Sequence, residues 1–366
     1  MISKFGLCDF KGHRDTQLEL GRFTMLVGDN ASGKTSVLEA LALQSRLAPS
    51  PVACLREAWA PENLVRRGSS RSAKLVSEGT RGQISWTTRL ELRVLPKPSP
   101  SGGAPWELEL RGSLGGKEFV TTSSGEGGGG STGPGWDTLG EIFGVVALYR
   151  LHAEKIAAGA YSDVPEIRIE PDGTNTAVAL AAMKLGNDEV FQRIEDAMRK
   201  LIPSLERVRI RPATVQHPSA QHVVGNKLYF DFRGAPGVPA DGASHGTLIV
   251  LALFAILHGQ NRPNLILLDD FDHALHPRAQ MELVRMIKSL LALDEFSDVQ
   301  VVATTHSPYV LDELDPSEVY AFALRDDGTV ASRRLSEHPE AEKTRGTLKA
   351  GQLWSLDPER DWVLRG

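Results

Sequence analysis

The eight residues Gly28–Thr35 constrain this chain more than any other stretch. They read GDNASGKT and fit the pattern G-x-x-x-x-G-K-[ST] in full. The apolar run Phe23–Val27 before them predicts a buried strand, and Ser36–Leu43 after them has the apolar spacing of a helix. In a strand–loop–helix context, glycines let the backbone fold around an anion, and the amides at the helix N-terminus point at phosphate. The stretch therefore predicts a nucleotide-binding loop.

Two side chains of this loop add chemistry to the backbone cradle. Lys34 supplies a positive charge for the β- and γ-phosphates, and Thr35 offers a hydroxyl to Mg²⁺. A nucleotide and Mg²⁺ are therefore the expected ligands of this loop, and the resemblance described below implies that the nucleotide is ATP. We expect the nucleotide to be bound by the following residues: Gly28, Asp29, Asn30, Ala31, Ser32, Gly33, Lys34, Thr35 and Ser36.

Composition limits the class of protein. A length of 366 residues allows about two domains, or one large domain with an inserted lobe, and 41% hydrophobic with 24% charged residues is ordinary for a soluble protein. A net charge of −5 means that any basic surface is local. Cys8 and Cys54 are too few and too scattered for a disulfide framework. Met1–Phe5 lacks a signal-peptide core, and Thr247–Leu257 is too short to span a bilayer. We expect a cytoplasmic protein without a membrane partner.

The turn Phe10–Asp15 lies between two expected strands, Ile2–Leu7 and Gln17–Leu20. It is polar and contains two cations. Two interpretations stay open, a contact to the base or ribose of the nucleotide and a solvated hairpin turn.

Alternating apolar and polar residues predict an antiparallel sheet with one wet face further along the chain. The segments concerned are Gln83–Val94, Trp106–Leu110 and Lys117–Thr122, with a hairpin turn at Gly115-Gly116. The glycine-rich residues 123–135 have nothing to pack and predict a flexible loop.

The middle of the chain mixes helix and strand patterns. Residues 142–151 predict a core strand, 174–203 a helical region and Leu228–Arg233 a further strand. Residues 234–242 form an expected Gly/Pro loop. The strand Arg207–Arg211 places three arginines on one side, which indicates either a solvated strand face or a stripe that contacts DNA.

Acidic and imidazole side chains follow two buried strands in the last third. Leu265–Leu268 runs into Asp269 and Asp270, and Val299–Thr304 is followed closely by His306. Burying adjacent carboxylates costs several kcal/mol unless a cation is present, so Asp269 is the expected Mg²⁺ ligand. Asp270 is placed to orient or deprotonate the attacking water. His306 is placed to touch the γ-phosphate, because ligands collect at the carboxyl ends of strands in open α/β sheets.

Small residues precede a second apolar helix. Ser244–Thr247 leads into Leu248–His258, which Gly259 ends. Ser244 alone is a common cap, but its place just upstream of the acidic strand suggests a helix N-terminus that meets an anion. Another helix is expected from Pro277 to about Leu293.

These motifs together resemble the ABC-type ATPases of the RecF/SMC/OLD group. More narrowly, they are similar to small bacterial AAA-labelled ATPases that lack a Toprim domain and occur in anti-phage defence modules. The likeness covers most of the chain, and only β character matches in 66–140. The segments that carry it are Gly28–Thr35, Ile169–Leu180, Ala243–Thr247, Leu265–Asp270, Ala274–Pro277, Thr305–Pro308 and Gly351–Trp354.

The resemblance implies an α/β fold, an ABC-type P-loop NTPase head with a mostly parallel core sheet, an antiparallel β lobe and a helical subdomain. The expected organisation is a single head over 1–366. It consists of a P-loop portion 1–65, an inserted β lobe 66–140, a helical/β subdomain 141–240, and a portion 241–366 with the signature turn, the acidic strand and His306.

The resemblance also implies a composite site. The P-loop of one subunit would face Ser244 and Gly246 of another, so that ATP joins a head-to-tail homodimer or a higher oligomer. Lys34, Asp270 and His306 take the catalytic roles, and Thr35 and Asp269 hold the metal. Ala274–His276 would form the loop between the two sites.

Two departures from the family pattern concern the rate of hydrolysis. Asp270 stands where the family has Glu, and a displacement of about 1 Å can cost roughly 10²-fold in rate. His245 replaces the usual Gly or Asp of the signature turn. Hydrolysis is therefore expected to be slow. Tyr149-Arg150, at the end of a core strand, is the expected position of the family's glutamine-containing loop.

Three functions follow as hypotheses. The first is an ATPase subunit that gates a separately encoded effector, such as a nuclease, in a defence or DNA-transaction complex; the 60 residues after His306 are too few for a nuclease domain. The second is a stand-alone RecF-like DNA repair ATPase, which the basic stretches Arg66–Lys74 and Arg207–Arg211 favour. The third is a nucleotide-binding scaffold with little turnover. An ABC transporter subunit fits poorly, because Lys34 and Asp269 are 235 residues apart.

Overall fold

The computed structural model describes residues 1–47, 54–55, 60–69, 71–96, 106–124, 134–162, 167–216, 222–259 and 262–365. The described strands are β1 Ile2–Phe10, β2 His13–Glu19, β3 Phe23–Gly28, β4 Ser72–Arg81, β5 Ile84–Val94, β6 Trp106–Leu114, β7 Lys117–Ser124, β8 Val146–Tyr149, β9 Leu205–Gln216, β10 His222–Phe232, β11 Ala235–Pro239, β12 Leu265–Leu268, β13 Gln300–Thr305, β14 Val319–Leu324 and β15 Val330–Arg334. The described α-helices are α1 Lys34–Leu47, α2 Pro61–Leu64, α3 Pro134–Phe143, α4 Ala153–Ala158, α5 Thr176–Gly186, α6 Asp188–Leu201, α7 His245–His258, α8 Pro277–Leu291, α9 Pro308–Leu311, α10 Ala350–Trp354 and α11 Glu359–Val363.

The strand before the P-loop lies inside a sheet whose described strands follow the order β15-β14-β3-β13-β12-β8. β3 pairs in parallel with both β13 and β14, and β13 pairs in parallel with β12. All residues of β3, β12 and β13 are buried. Their mainly apolar sequences, with buried Thr and Gln side chains among them, follow from this burial on both faces. The expected mostly parallel core sheet is confirmed.

A second sheet is antiparallel, with the described order β2-β1-β4-β5-β6-β7. Its inward side chains form one apolar core with α1, α3 and strands of the parallel sheet. The sheet is larger than an insertion at 66–140, because β1 and β2 pair with each other and β1 pairs with β4. The sequence did not predict β4, because basic residues near its start obscure the alternation of apolar and polar residues along the strand. The tight turn at Gly115-Gly116 is present, and both glycines have positive φ.

One expected strand is shorter than predicted, and its first two residues belong to a helix. Ile142 and Phe143, placed in a strand 142–151 from their apolar run, end α3, and only Val146–Tyr149 is strand. Trp136, Leu139 and Phe143 are buried with helical spacing, so packing decided the structure. Gly144, at φ 58°, ends the helix. The expected flexible loop 123–135 lies mostly outside the described residues.

The helical region 174–203 is two helices, α5 and α6, that meet at Asn187. The side chain of Asn187 accepts a hydrogen bond from the amide of Glu189 and so caps α6. The expected loop 234–242 contains the short strand β11, which pairs with β10. β9, β10 and β11 form a third, antiparallel sheet.

Buried glutamines differ in how well they are satisfied. The Gln300 side chain accepts from the amide of Ile2 (3.0 Å) and donates to the carbonyls of Ile2 and Gly21 (2.8 Å each). Gln44 accepts from Ser77 (2.9 Å), and its amide nitrogen has no hydrogen-bond partner among the described residues. Gln300 therefore joins β1 to β13.

The chain divides into two units, and neither follows chain order. The first comprises Met1–Leu148, Asn264–Leu268 and Leu291–Gly366; the second comprises Tyr149–Pro263 and Asp269–Leu290. The first unit holds the parallel and the large antiparallel sheets. The second holds the β9–β11 sheet and helices α4–α8. No described helix combines the length and the apolar character needed to cross a membrane.

Candidate functional site

The P-loop connects β3 to α1 in the first unit, and its shape depends on glycine. Gly28 (φ 143°) and Gly33 (φ 99°) have positive φ, as has Ala31 (φ 63°). A Cβ at Gly28 would lie 2.3 Å from the carbonyl oxygen of Phe322. The loop therefore packs against β14 so closely that no side chain fits there. This leaves a backbone cradle in front of the first turn of α1.

Lys34 begins α1 and its side chain turns back over the loop. The Nζ atom donates to the carbonyl oxygens of Gly28 and Asp29 at 2.8 Å each and lies 3.4 Å from the hydroxyl of Ser32. Lys34 is buried, whereas Thr35 is half-buried. The ammonium is thus held where the loop curves, which is the place a phosphate chain needs a positive charge.

A histidine contacts the P-loop from β2, and the sequence analysis did not find it. The Nε2 atom of His13 lies 3.1 Å from the carbonyl oxygen of Gly33, and Nδ1 lies 2.9 Å from Oγ1 of Thr16. Burial lowers the pKa of His13 to about 4, and the neighbouring Lys11 acts in the same direction, against the hydrogen bond to Gly33. The imidazole is therefore neutral near pH 7. The signal was present, because His13 lies in the turn singled out above.

The ends of the parallel strands lie at one edge of the core sheet. β3 ends at Gly28, β12 at Leu268 and β13 at Thr305, and the parallel registers align these ends. The next residue after β12 is Asp269, and the next after β13 is His306. His306 is exposed. Residues at such strand ends are those that reach ligands in open α/β sheets.

Asp269 carries an ion pair in the second unit. Its carboxylate is almost fully buried and accepts from Nε of Arg150 (3.1 Å) and from Nη2 of the same guanidinium. The amide of Asp269 donates to the carbonyl of Tyr149 (2.9 Å). Arg150 follows β8, at the expected position of the glutamine-containing loop. The guanidinium of Arg150 is therefore a charged partner for the buried carboxylate.

Asp270 differs from Asp269 in exposure and backbone. It is exposed and has φ 50°, in the left-handed region that Asp tolerates better than most residues. The backbone turns sharply here, so Asp269 is buried whereas the adjacent Asp270 is exposed.

The turn before α7 packs closely against the loop at Ala274–Leu275, and Gly246 lies at the contact. Ser244 caps α7, and its Oγ accepts from the amide of Thr247 at 3.2 Å. Ser244 is exposed, whereas Gly246 is buried against the loop at Ala274. A Cβ at Gly246 would lie 2.8 Å from Cδ2 of Leu275 and 3.3 Å from the carbonyl oxygen of Ala274. The expected signature turn therefore contacts the expected loop between the sites.

The basic stretch Arg66–Lys74 is partly neutralised. Arg66 pairs with Asp9 (2.6 Å), and Lys74 lies 3.9 Å from Glu91. These ion pairs reduce the positive charge that this stretch has available for binding DNA.

The donors expected for Mg²⁺ are the hydroxyl of Thr35 and the carboxylate of Asp269. Among the described residues, no group of three or more His, Cys, Asp or Glu side chains is arranged to hold a metal ion. Mg²⁺ at phosphate sites needs fewer protein ligands, since it uses one or two carboxylates, phosphate oxygens and waters. The first unit holds the P-loop, Thr35 and His306; the second holds Asp269, Asp270, Ser244 and Gly246.

Comparison with known proteins agrees with this description. A model for "AAA domain, putative AbiEii toxin, Type IV TA system" matches residues 164–312, and one for "AAA ATPase domain" matches residues 1–50. The chain is 34% identical over 76 residues to the Septu protein PtuA of Bacillus thuringiensis, which covers 21% of this chain and 18% of that protein.

Solved structures of SMC heads share the fold. An SMC head bound to the C-winged helix domain of ScpA matches with a TM-score of 0.58 and 17% identity, over 93% of this chain and 99% of that one. The SMC head domain of Thermotoga maritima matches with a TM-score of 0.51 and 13% identity, over 91% and 98%. The P-loop and the order of the sheet around it agree with these matches: the chain shares the fold of SMC heads and is similar to AAA ATPase domains over residues 1–50 and 164–312.

Proposed function

We propose that this protein is an ATP-binding and hydrolysing subunit that dimerises head-to-tail on ATP and gates a separately encoded effector, a nuclease, in bacterial anti-phage defence. The observation that carries the proposal is the P-loop, built on a central parallel strand with Lys34 turned into its cradle. The defence role is supported by the local similarity to PtuA and by the AbiEii-type model. Cytoplasmic localisation belongs to the same proposal.

The roles of the side chains follow from their chemistry. The loop amides and Lys34 bind the phosphates, while Thr35 and Asp269 hold Mg²⁺, which neutralises phosphate charge when bound. Asp270 orients the attacking water, and His306 contacts the γ-phosphate. Because Asp is one methylene shorter than Glu, turnover is slow and binding is the main signal.

Arg150, the ion-pair partner of Asp269, also takes part in the proposed binding of Mg²⁺ and nucleotide. Its guanidinium is paired with the buried carboxylate of Asp269 and compensates the negative charge of that group. The side chain of Arg150 is 56% exposed, so its guanidinium contacts solvent as well as Asp269. We propose that it gives up part of its contact with Asp269 when Mg²⁺ and nucleotide bind.

Dimerisation is assigned to the start of α7. Ser244 is exposed at the N-terminus of a 14-residue helix, where amides and the helix dipole favour an anion. We propose that it meets the γ-phosphate bound by the P-loop of a second copy.

Three variants test the proposal. Lys34→Ala should abolish binding of a fluorescent ATP analogue. Asp270→Ala should trap an ATP-bound dimer, visible as a doubled mass by light scattering, and Ser244→Arg should prevent that dimer. Unaltered ATP affinity in Lys34→Ala would refute the assignment of the site. An Asp270→Asn variant with wild-type turnover would instead support a scaffold.

The effector is tested by expression with the neighbouring open reading frame. The two products should co-purify, and nuclease activity should depend on the nucleotide state of this chain. Robust metal-dependent DNA cleavage by this chain alone, retained in variants of Asp269 and Asp270, would contradict the gating role.

A second candidate, direct DNA binding, is favoured by the β9–β10 face. On this face Arg209 lies opposite Tyr229, Arg211 opposite Lys227, and Arg207 opposite Asp231. The other face carries buried apolar side chains. Two like charges directly opposite each other destabilise a sheet. A bound anion would relieve the repulsion between Arg211 and Lys227. Arg209 pairs with Asp231, and Lys227 with Asp241 at 3.2 Å.

The β5–β6 face of the first unit provides a contrast within the same chain. It presents three arginines and three glutamates on one surface, and they cancel in charge: Arg89, Arg93, Arg111, Glu91, Glu107 and Glu109. The β9–β10 face has four cations with Asp231 on the face and Asp241 beside it. A local cation excess in a chain of net charge −5 is what phosphate binding requires.

Fluorescence anisotropy with a labelled oligonucleotide tests this candidate. The triple variant Arg207→Gln, Arg211→Gln, Lys227→Gln should lower affinity for single-stranded DNA and reduce the salt slope by about 2, since each phosphate contact contributes roughly 0.7. The matched control removes three arginines from the β5–β6 face (Arg89, Arg93 and Arg111 to Gln) and should leave the slope unchanged. Equal losses in both variants would exclude a specific face.

A further inference from the structure

The hydrogen bond between His13 and the P-loop determines which ring nitrogen of His13 carries the proton. The carbonyl oxygen of Gly33 can only accept a hydrogen bond, so the Nε2 atom of His13, 3.1 Å away, must carry the proton. Neutral imidazole has one N–H, and therefore Nδ1 accepts from the hydroxyl of Thr16 at 2.9 Å. Thr16 thus selects the tautomer that His13 offers to the loop.

We propose that His13 is a positioning residue of the nucleotide site, which fixes the Gly33–Lys34 peptide group so that the Lys34 amide faces the bound phosphates. The inference rests on the proposed nucleotide binding by the P-loop and adds a residue outside the G-x-x-x-x-G-K-T pattern. His13 is assigned no contact with the nucleotide.

The Gly33 carbonyl and the Lys34 amide belong to one planar peptide group, so fixing the direction of the carbonyl also fixes that of the amide. A trans peptide is planar, with its C=O and N–H pointing in opposite directions. The Gly33 carbonyl also accepts from the amide of Val37 at 3.3 Å, in the first turn of α1. With the carbonyl held by two donors, the Lys34 amide points out of the helix N-terminus, toward the cradle where an anion binds.

Gly33 needs such support because its own backbone does not fix it. At φ 99° it lies where glycine is preferred and many conformations are open to it. A Cβ here would lie 2.7 Å from Cγ2 of Val330 and 2.9 Å from Nε2 of His13. Contacts from outside the loop, and not a side chain of its own, therefore hold this residue.

The surroundings of His13 suit a neutral donor. The side chain is fully buried, with the ring of Phe322 6.3 Å away at an edge-to-face angle. Lys11, the nearby cation, is paired with Glu39 of α1. A neutral imidazole gives the loop a hydrogen bond without adding a charge to those of the phosphates and Lys34.

Two substitutions at His13 separate positioning from packing. His13→Leu removes the donor and keeps an apolar side chain, whereas the amide of His13→Gln can still donate to the Gly33 carbonyl. We expect His13→Leu to weaken binding of a fluorescent ATP analogue about tenfold at pH 7.5, the effect of one lost hydrogen bond. We expect His13→Gln to restore affinity to within about threefold of the wild type.

His338→Leu is the matched control. His338 is also buried in the first unit and lies edge-to-face against Trp362, with the ring centroids 4.9 Å apart, away from the P-loop sequence. Its substitution should lower stability and leave nucleotide affinity unchanged. A His13→Leu variant that binds nucleotide as tightly as the wild type would overturn the inference, while loss of binding in Lys34→Ala would still support the site itself.

The wild-type protein provides an independent measurement if His13→Leu does not fold. Selective ¹⁵N labelling of the ten histidines should show one ring, absent from the spectrum of His13→Gln, with its proton on Nε2 at pH 7.5. A proton on Nδ1 of that ring would contradict the proposed hydrogen bond and with it the positioning role.

Discussion

Acid should destabilise the first unit through His13, and the size of the effect follows from its pKa. The folded-state pKa is about 4, against 6.5 for the free side chain, because the buried imidazole is desolvated. The unfolded chain therefore takes up a proton first as the pH falls. Stability is complete above about pH 7 and is lost between about pH 6.5 and 4. The full difference of 2.5 pKa values corresponds to about 3 kcal/mol, and about 2 kcal/mol of it is lost at pH 5.

Urea unfolding at pH 7.5 and pH 5 measures this loss. All six tryptophans fall in the sequence ranges of the first unit, so their fluorescence reports on that unit. The comparison is with His13→Gln, which cannot take up the proton. Other groups, including His338, whose pKa is also lowered by burial, affect both proteins and cancel in the difference.

The wild type should lose about 2 kcal/mol more than His13→Gln between the two pH values. A difference below about 0.5 kcal/mol would mean that His13 is accessible to water or already protonated in the folded state. Either result would refute the description of His13 as a buried, neutral donor.

Three further predictions concern other parts of the chain. Gln300→Leu should lower the free energy of unfolding by about 3 kcal/mol, since it removes three hydrogen bonds of about 1 kcal/mol each, and Gln44→Leu should lower it by less than half as much. Urea unfolding measures both losses, and equal losses would contradict the hydrogen-bond argument. Asp270→Glu should raise ATP turnover by tenfold or more, because the added methylene shortens the distance to the attacking water; phosphate release measures it, and an unchanged rate would show that side-chain length is not limiting. Gly246→Ala should prevent ATP-dependent dimerisation, since its Cβ has no room, whereas at Gly242 the nearest atom to an added Cβ is 3.4 Å away and Gly242→Ala should dimerise normally; light scattering distinguishes them, and a dimer in both would count against the packing argument.

The elements around the P-loop could be predicted because their signals are local. Gly28–Thr35 has a fixed spacing. Leu265–Leu268 is apolar throughout and Phe23–Val27 is apolar except for Thr24, because their strands are buried on both faces. Pattern and burial agree in these segments. The expected fold class followed from them and from the motifs at the strand ends.

The parts that were missed depend on contacts distant in sequence. Residues 142–143 have the same apolar character in a strand as in a helix, and only the packing of α3 in the core decides between them. The position of β1 beside β4 is set by pairing across about 70 residues. His13 looked like part of a polar turn, since its partner in the P-loop is 20 residues away.

The close packing at Gly246 has a mechanical consequence for the second unit. The turn that begins at Ser244 and the turn at Ala274–Leu275 are in close contact, since a Cβ added at Gly246 would lie 2.8 Å from Cδ2 of Leu275 and 3.3 Å from the carbonyl oxygen of Ala274, and closely packed interiors do not deform gradually. A force applied to either turn is therefore transmitted to the other as a displacement. A molecule that docks on the exposed serine would shift the segment just beyond Asp270 in the same movement, without a hinge between them.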